Sequence, residues 1–281
     1  MMNMKRILKY MCLALIMAIA VSCEKNEIEY KTTDTGDVAE FQLHYFVPVT
    51  AVAANNINKI EVNDQLYANI NAPLTTYNAV PNGSVGRFYT TTPGSVNIKM
   101  YMGTALSLAY DKNVTLNKGK QNVFVYDFTK DPIVFDNGYP YSTNLTMDTD
   151  SACYVKFYNF LYEKTGVPTT LKLQYQYTDP RTKAMVNIGA PVSFGETTGW
   201  QSVKVVKSVF ISAGSARVDF SIKVVEADGT VSGDLQLWNT NKVYVKYTGF
   251  FTEAIGRRYH HVISGMRSEV PVASVRSFTA L

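Results

Sequence analysis

From residue 38 onward apolar and polar side chains alternate with a period of two, and this pattern restricts the chain to strands. Phe41, Leu43, Tyr45 and Val47 alternate with Gln42 and His44. Leu171, Leu173, Tyr175 and Tyr177 alternate with Lys172, Gln174 and Gln176, and Val218, Phe220, Ile222 and Val224 with Asp219, Ser221 and Lys223. Successive residues of an extended chain point to opposite sides, so each segment offers one apolar face to a core and one polar face to water. Valine, tyrosine, phenylalanine and threonine dominate these runs and suit a pleated, half-buried surface. Turn pairs punctuate them: Asn82-Gly83, Pro93-Gly94, Lys118-Gly119, Asn137-Gly138 and Asp228-Gly229. The best helical candidate, Thr50 to Asn58, is short and ends in asparagines.

The β segments also repeat. Ala39-Glu40-Phe41-Gln42-Leu43 corresponds in character to Ala152-Cys153-Tyr154-Val155-Lys156, Ala72-Pro73-Leu74 to Ala190-Pro191-Val192, and Pro93-Gly94-Ser95-Val96 to Ala213-Gly214-Ser215-Ala216. Val123-Phe124-Val125 aligns with Val243-Tyr244-Val245. A slowly growing offset is what a duplicated domain with small loop insertions produces. The expected fold is all-β: two tandem Ig-like antiparallel β-sandwich domains, at 38–136 and 150–262, joined by a linker at 137–149. Residues 263–281 add one further strand or a tail.

Ahead of this body, residues 1–22 read as a secretory signal peptide. Lys5, Arg6 and Lys9 form a positive start, and an apolar run from Tyr10 to Val21 follows. As a helix that run spans about 18 Å, well short of the roughly 30 Å hydrocarbon core, so it is no lasting membrane span. Ile19-Ala20-Val21-Ser22-Cys23 resembles a bacterial lipobox. The resemblance implies cleavage before Cys23 and lipidation of its thiol, and two or more acyl chains make such an anchor stable. Residues 23–37 are a polar tether whose Glu24, Glu27 and Glu29 resemble the acidic surface-export tags of Bacteroides-type lipoproteins. The expected location is therefore the outer membrane, facing the cell exterior.

Charge and cysteine usage agree with this placement. The chain carries 27 basic and 23 acidic residues, and setting aside Lys5, Arg6 and Lys9 brings the two nearly level. Nucleic acid is thereby excluded as an expected partner. Of the three cysteines, Cys12 leaves with the signal, Cys23 takes lipid, and Cys153 remains alone, with no intrachain disulfide to form. Cys153 is expected to be a small core residue.

The chain further resembles a family of small extracellular β-sandwich domains of unknown function that occur in tandem in Bacteroides-type surface lipoproteins. Gly94-Ser95 and Gly214-Ser215 match the position where that family opens a strand after a tight turn, and Gly119-Lys120 matches a second hairpin. Asn241-Lys242 replaces the last of these glycines, and Val47-Pro48-Val49 and Leu161-Tyr162-Glu163 stand where the family has a Ser-Pro-Asp-Ala-like loop. The resemblance implies fold and location, not an activity.

Signs of catalysis are sparse. His44, lying between core-like Leu43 and Tyr45, is expected to face solvent. His260 and His261 are adjacent, so on a strand they point to opposite faces and cannot chelate one metal. Gly83-Ser84-Val85-Gly86 has the wrong spacing for a nucleophile elbow, and no phosphate loop, dinucleotide fingerprint or paired-cysteine zinc motif occurs. Asp127, Asp131 and Asp136 lie around the linker with Asp148 and Asp150, too widely spaced for a calcium loop. No cofactor and no metal are expected. The candidate ligand-binding residues are aromatics in expected loops, Tyr139, Tyr141, Tyr162 and Trp200, which can stack on a sugar or anchor a protein partner. Arg257-Arg258 marks a small basic spot. Asp150-Ser151-Ala152 resembles an O-glycosylation sequon with Ser151 as acceptor.

These readings predict a non-catalytic, lipid-anchored envelope protein that binds or adheres to an extracellular protein or glycan. The alternative is an accessory glycan-binding lipoprotein of a nutrient-uptake system. A fimbrial subunit ranks lower: Bacteroides-type pilins are trimmed after an arginine near the mature N-terminus, and the first arginine after Cys23 is Arg87, inside the first domain, so that cleavage site is lacking. A hydrolase ranks last.

Overall fold

A computed structural model describes residues 37–81, 87–138, 152–206, 210–212, 214–226 and 228–280. The signal segment, Cys23, Tyr139, Tyr141 and Ser151 lie outside these residues. The chain is all-β. Its first half contributes Ala39–Tyr45 (β1), Ile57–Val62 (β2), Gln65–Ala68 (β3), Asn78–Val80 (β4), Tyr89–Thr91 (β5), Gly94–Met102 (β6), Ser107–Leu116 (β7), Gly119–Val125 (β8) and Ile133–Asp136 (β9). The stretch with the best helical pattern forms only a 3-10 turn at Ala53–Asn55. The second half contributes Ala152–Lys164 (β10), Val167–Pro168 (β11), Lys172–Thr178 (β12), Met185–Asn187 (β13), Thr197–Lys204 (β14), Phe210–Ser212 (β15) and Ser215–Val225 (β16). It continues with Val231–Asp234 (β17), Gln236–Trp238 (β18), Tyr244–Lys246 (β19), Thr248–Ala254 (β20), Arg258–Met266 (β21) and Ser274–Thr279 (β22).

Pairing within each half follows one plan. In the first half β4 and β5 flank β1, which pairs β8, which pairs β9; a second sheet runs β3-β2-β6-β7. In the second half β11 and β14 flank β10, which pairs β21, which pairs β22; its second sheet runs β13-β12-β16, with β20 on the far side of β16. Among the described strands, pairing is antiparallel except for one parallel ladder per half, β1 with β8 and β10 with β21. The partners of each parallel ladder lie far apart in sequence, and the chain reaches the second by way of the other sheet, as parallel pairing requires. The shared plan includes details: Leu74 bridges Ile57 as Val192 bridges Leu173, and Gly94 and Gly214 each precede or open the long central strand at positive φ.

One expected correspondence is replaced. Val243-Tyr244-Val245 belongs largely to β19, in a two-stranded hairpin with β18, whereas the strand equivalent to β8 is β21. The hairpin is an insertion after β16, so the sequence offset jumps at that point and the local Val-aromatic-Val likeness misaligns. The C-terminal segment is settled too: β21 continues past residue 262 to Met266, and β22 pairs it antiparallel from Ser274 to Thr279.

Three apolar layers organise these four sheets. One joins β1, β4 and β8 to β2 and β6, through Phe41, Leu43, Val123, Ile60 and Ile98. A second joins β10 and β21 to β12, β16 and β20, through Phe157, Ile263, Tyr175, Ile222 and Phe251. The third lies between the halves: Phe46, Ala79 and Phe124 meet Tyr158, Phe160, Val262 and Phe278. The sheets are therefore stacked four deep, and those built on β1 and β10 are covered on both faces. That cover explains β10, buried at ten of its first eleven positions rather than at alternate ones, and it overturns the solvent-facing expectation for His44, which is fully buried. Fully burying each such aromatic contributes about 1.5–3 kcal/mol. The expected linker also begins inside the body: Asn137, its first residue, is fully buried.

Candidate functional site

The seam between the halves carries a polar chain within its apolar layer. The Asn122 amide donates from Nδ2 to Asn137 Oδ1 at 2.8 Å, which leaves Asn122 Oδ1 to accept from His44 Nε2 at 3.1 Å. His260 Nε2 donates to the same Asn137 Oδ1 at 3.0 Å, so its Nδ1 accepts from the Tyr158 hydroxyl at 2.9 Å. Trp200 Nε1 donates to the Asn137 carbonyl at 2.9 Å. This donor order assigns both histidines a proton on Nε2 and leaves His44 Nδ1 buried without a partner. Burial pushes His44 down to about 3. Burial also holds His260 well below the usual range, with repulsion from His44, Lys156 and His261 adding to it. Both rings are neutral. Lys156 Nζ donates to the Asp136 carbonyl at 2.6 Å, and burial pulls its ammonium down to about 8.

On the other face of β21, as alternation requires, His261 enters the second sandwich core. Its Nε2 lies 2.9 Å from Glu253 Oε1 and its Nδ1 2.9 Å from the Tyr175 hydroxyl. The Ser277 hydroxyl donates to the same Glu253 oxygen at 3.2 Å. Cys153 is fully buried in this core, and burial pushes its thiol well above the usual range. The nucleophile- and base-type residues of this core, Cys153, His261 and Glu253, are each at most 1% exposed, so a substrate in solvent has no access to them.

Chemistry facing solvent gathers on the outer face of the sheet β13-β12-β16-β20. Alternation along β16 sends Val218, Phe220 and Ile222 inward and Arg217, Asp219, Ser221 and Lys223 outward. The register aligns these into rows across the strands. Asn187, Gln176, Ser221 and Thr248 lie side by side on four strands, and Asp219 lies beside Phe250 in the next row. Gly249 is required beneath: a Cβ there would come within 2.6 Å of the Phe220 ring.

The face is an open groove of about 550 Å³ lined by Thr178, Met185, Arg217, Ser221, Lys246 and Phe250 among others. Phe250 is 56% exposed, and the Arg217 guanidinium stacks 3.9 Å from its ring centre. Arg217 Nε also reaches Asp219 Oδ1 at 3.0 Å. Lys223 and Lys246 share a single carboxylate, Asp234, at 2.6 and 3.0 Å, and Lys223 foremost holds that carboxyl below its ordinary value.

No protein-family model matches the chain, and no characterised protein matches it in sequence. The groove must be read from its own chemistry.

Of the aromatics expected to bind ligand, Tyr162 and Trp200 are in strands rather than loops. Tyr162 is buried in β10 and its hydroxyl donates to the Tyr126 carbonyl at 2.9 Å, across the seam. Trp200 lies in β14 beside Lys156 and His260. Both fasten the halves together, because the face they share is covered by the other half. The residues the sequence reading passed over are Arg217, Asp219, Ser221, Lys223 and Phe250. One signal for them was present: in the doublet Phe250-Phe251 on a strand, one ring must face away from the core.

Proposed function

We propose that this chain is a non-catalytic, lipid-anchored protein of the cell envelope, displayed at the cell surface, which binds an extracellular ligand on the outer face of its second half. The single observation that carries the reading is the groove, where an exposed phenylalanine stands over a row of charged and hydroxyl side chains on a rigid sheet. Binding sites are commonly concave surfaces of this kind, apolar with a few placed polar groups. Cys153, His261 and Glu253 lie sealed in the core, which favours binding over catalysis there. The anchor rests on the sequence around Cys23 and on its likeness to tandem surface lipoproteins.

Protease shaving of intact cells tests the reading, with Cys23→Ala as the control. Display outside predicts that the wild-type protein is digested while periplasmic markers survive, and that the variant is lost from the membrane fraction. Protection of the wild-type protein until lysis would refute surface display.

A further inference from the structure

We infer that the groove on β12, β16 and β20 takes a uronate-containing oligosaccharide, an inference that rests on the binding reading above and specifies its ligand. Three features of the groove converge on this chemistry. The first is its floor. Ser221 and Thr248 line it, and register continues their row of hydroxyls and amides onto Gln176 and Asn187 of the neighbouring strands. Gln176 Nε2 donates to Asn187 Oδ1 at 2.7 Å, but Gln176 Oε1 and the Ser221 hydroxyl have no hydrogen-bond partner. Ser221 is only 5% exposed and lines the groove. A buried hydroxyl left unpaired is destabilising, so a ligand that completes its hydrogen bonding is favoured there. The carbonyl needs a donor and the hydroxyl takes either role, and sugar hydroxyls supply both.

The second feature is the wall. Phe250 presents a flat apolar ring at the side of this row, of the size and shape to cover the C–H face of a pyranose. Arg217, stacked on the ring and paired with Asp219, fixes its position. Cation and ring together make a rigid platform, which lowers the ordering cost of binding.

The third feature is charge. Lys223 and Lys246 have one carboxylate between them, so a full positive charge remains at that end of the groove. Lys183 adds another in the recess of about 240 Å³ that adjoins it along Thr178, Arg217 and Asp219. Neutral sugars would leave these cations uncompensated. A saccharide bearing carboxylates satisfies the row, the ring and the cations at once, whereas an acidic peptide offers charge without the ring of hydroxyls.

Calorimetric titration of the purified full chain with oligogalacturonate and with oligoalginate tests the inference, with methyl-esterified oligogalacturonate and oligoglutamate as controls. The expected result is binding of at least one uronate. Its methyl ester should bind about tenfold more weakly, equivalent to about 1.4 kcal/mol, and affinity should fall with added salt. Phe250→Ala should weaken binding about tenfold, and Lys223→Gln with Lys246→Gln should remove the preference for the acid over the ester. Oligoglutamate binding as tightly as the uronates would overturn the inference, as would failure of both uronates to bind or indifference of the binding to Phe250→Ala. Protease shaving separates the two levels: a chain that is digested on intact cells yet binds neither uronate keeps the surface reading and loses this one.

Discussion

Mild acid should destabilise this protein through two histidines at its seam. His44 and His260 are fully buried between the halves, 6.4 Å apart between ring centres. The groups facing them are Asn122, Asn137, Tyr158, Phe124, Phe278 and Trp200, with the Lys156 ammonium near His260 and the Asp136 carbonyl beyond it. Among the described residues, none of these facing groups is a carboxylate able to pair with an imidazolium. In the unfolded chain a histidine takes up its proton near 6.5, whereas folded His44 does so only at about 3. A lowered folded value means stability that is fully present above 6.5 and drains away as pH falls toward 3.

The slope is 1.36 kcal/mol per pH unit for each such group. At pH 5 His44 therefore withdraws about 2 kcal/mol, and His260, depressed by the same burial, acts in the same direction. A loss of about 2 kcal/mol from His44 alone is already large against a folding free energy of about 5–15 kcal/mol. Carboxylates do not blur the window, because their unfolded values lie at 3.8 and 4.5. Urea unfolding at pH 7, 6 and 5 reads the effect directly. The wild-type protein should lose at least about 2 kcal/mol across the series, and the double variant His44→Gln, His260→Gln should lose less than about 1 kcal/mol. A flat wild-type series, or an undiminished slope in the variant, would refute the argument that the seam holds these rings neutral.

Other consequences follow from the same geometry. Phe124→Ala removes a ring that touches His44, Phe46, Tyr158 and Phe160, and should cost about 3–5 kcal/mol by denaturant midpoint at constant m-value. Gly249→Ala forces a methyl to within 2.6 Å of the Phe220 ring, so it should cost about 1–3 kcal/mol and lower the melting temperature, although it adds apolar surface. Cys153 should resist thiol-labelling reagents in native buffer and label at the rate of unfolding in denaturant, since its thiol is buried and held protonated.

Much of the fold could be read from strand periodicity, and the errors share one cause. Alternation correctly separates the two faces of β1 and of β21, and it correctly sends His260 and His261 to opposite sides. It carries no information on what covers the second face. His44 occupies a polar phase of β1 and so reads as a water-facing residue, yet its partner Asn122 comes from β8 and the ring beside it, Phe278, from the last strand. Such satisfaction is long-range and invisible to a local pattern. A warning existed in β10, where Phe157 to Tyr162 run without alternation except for Asn159, as a strand buried on both faces does. The same blindness moved Tyr162 and Trp200 into expected loops, when they lie on the covered face. The groove was illegible for the converse reason: Gln176, Ser221, Thr248 and Phe250 come from three strands, and only register places them in adjoining rows. The repeat was read correctly through β16 and lost where the β18–β19 hairpin is inserted.

The seam makes one body of two similar halves, so the working surface is the free outer face and not the space between sandwiches. Scanning calorimetry of the full chain at pH 7 tests this most directly. A sealed aromatic layer carrying a buried hydrogen-bond chain predicts a single transition whose calorimetric and van't Hoff enthalpies agree. Two resolved transitions, or a calorimetric enthalpy about twice the van't Hoff value, would mean that the halves unfold independently and would contradict it.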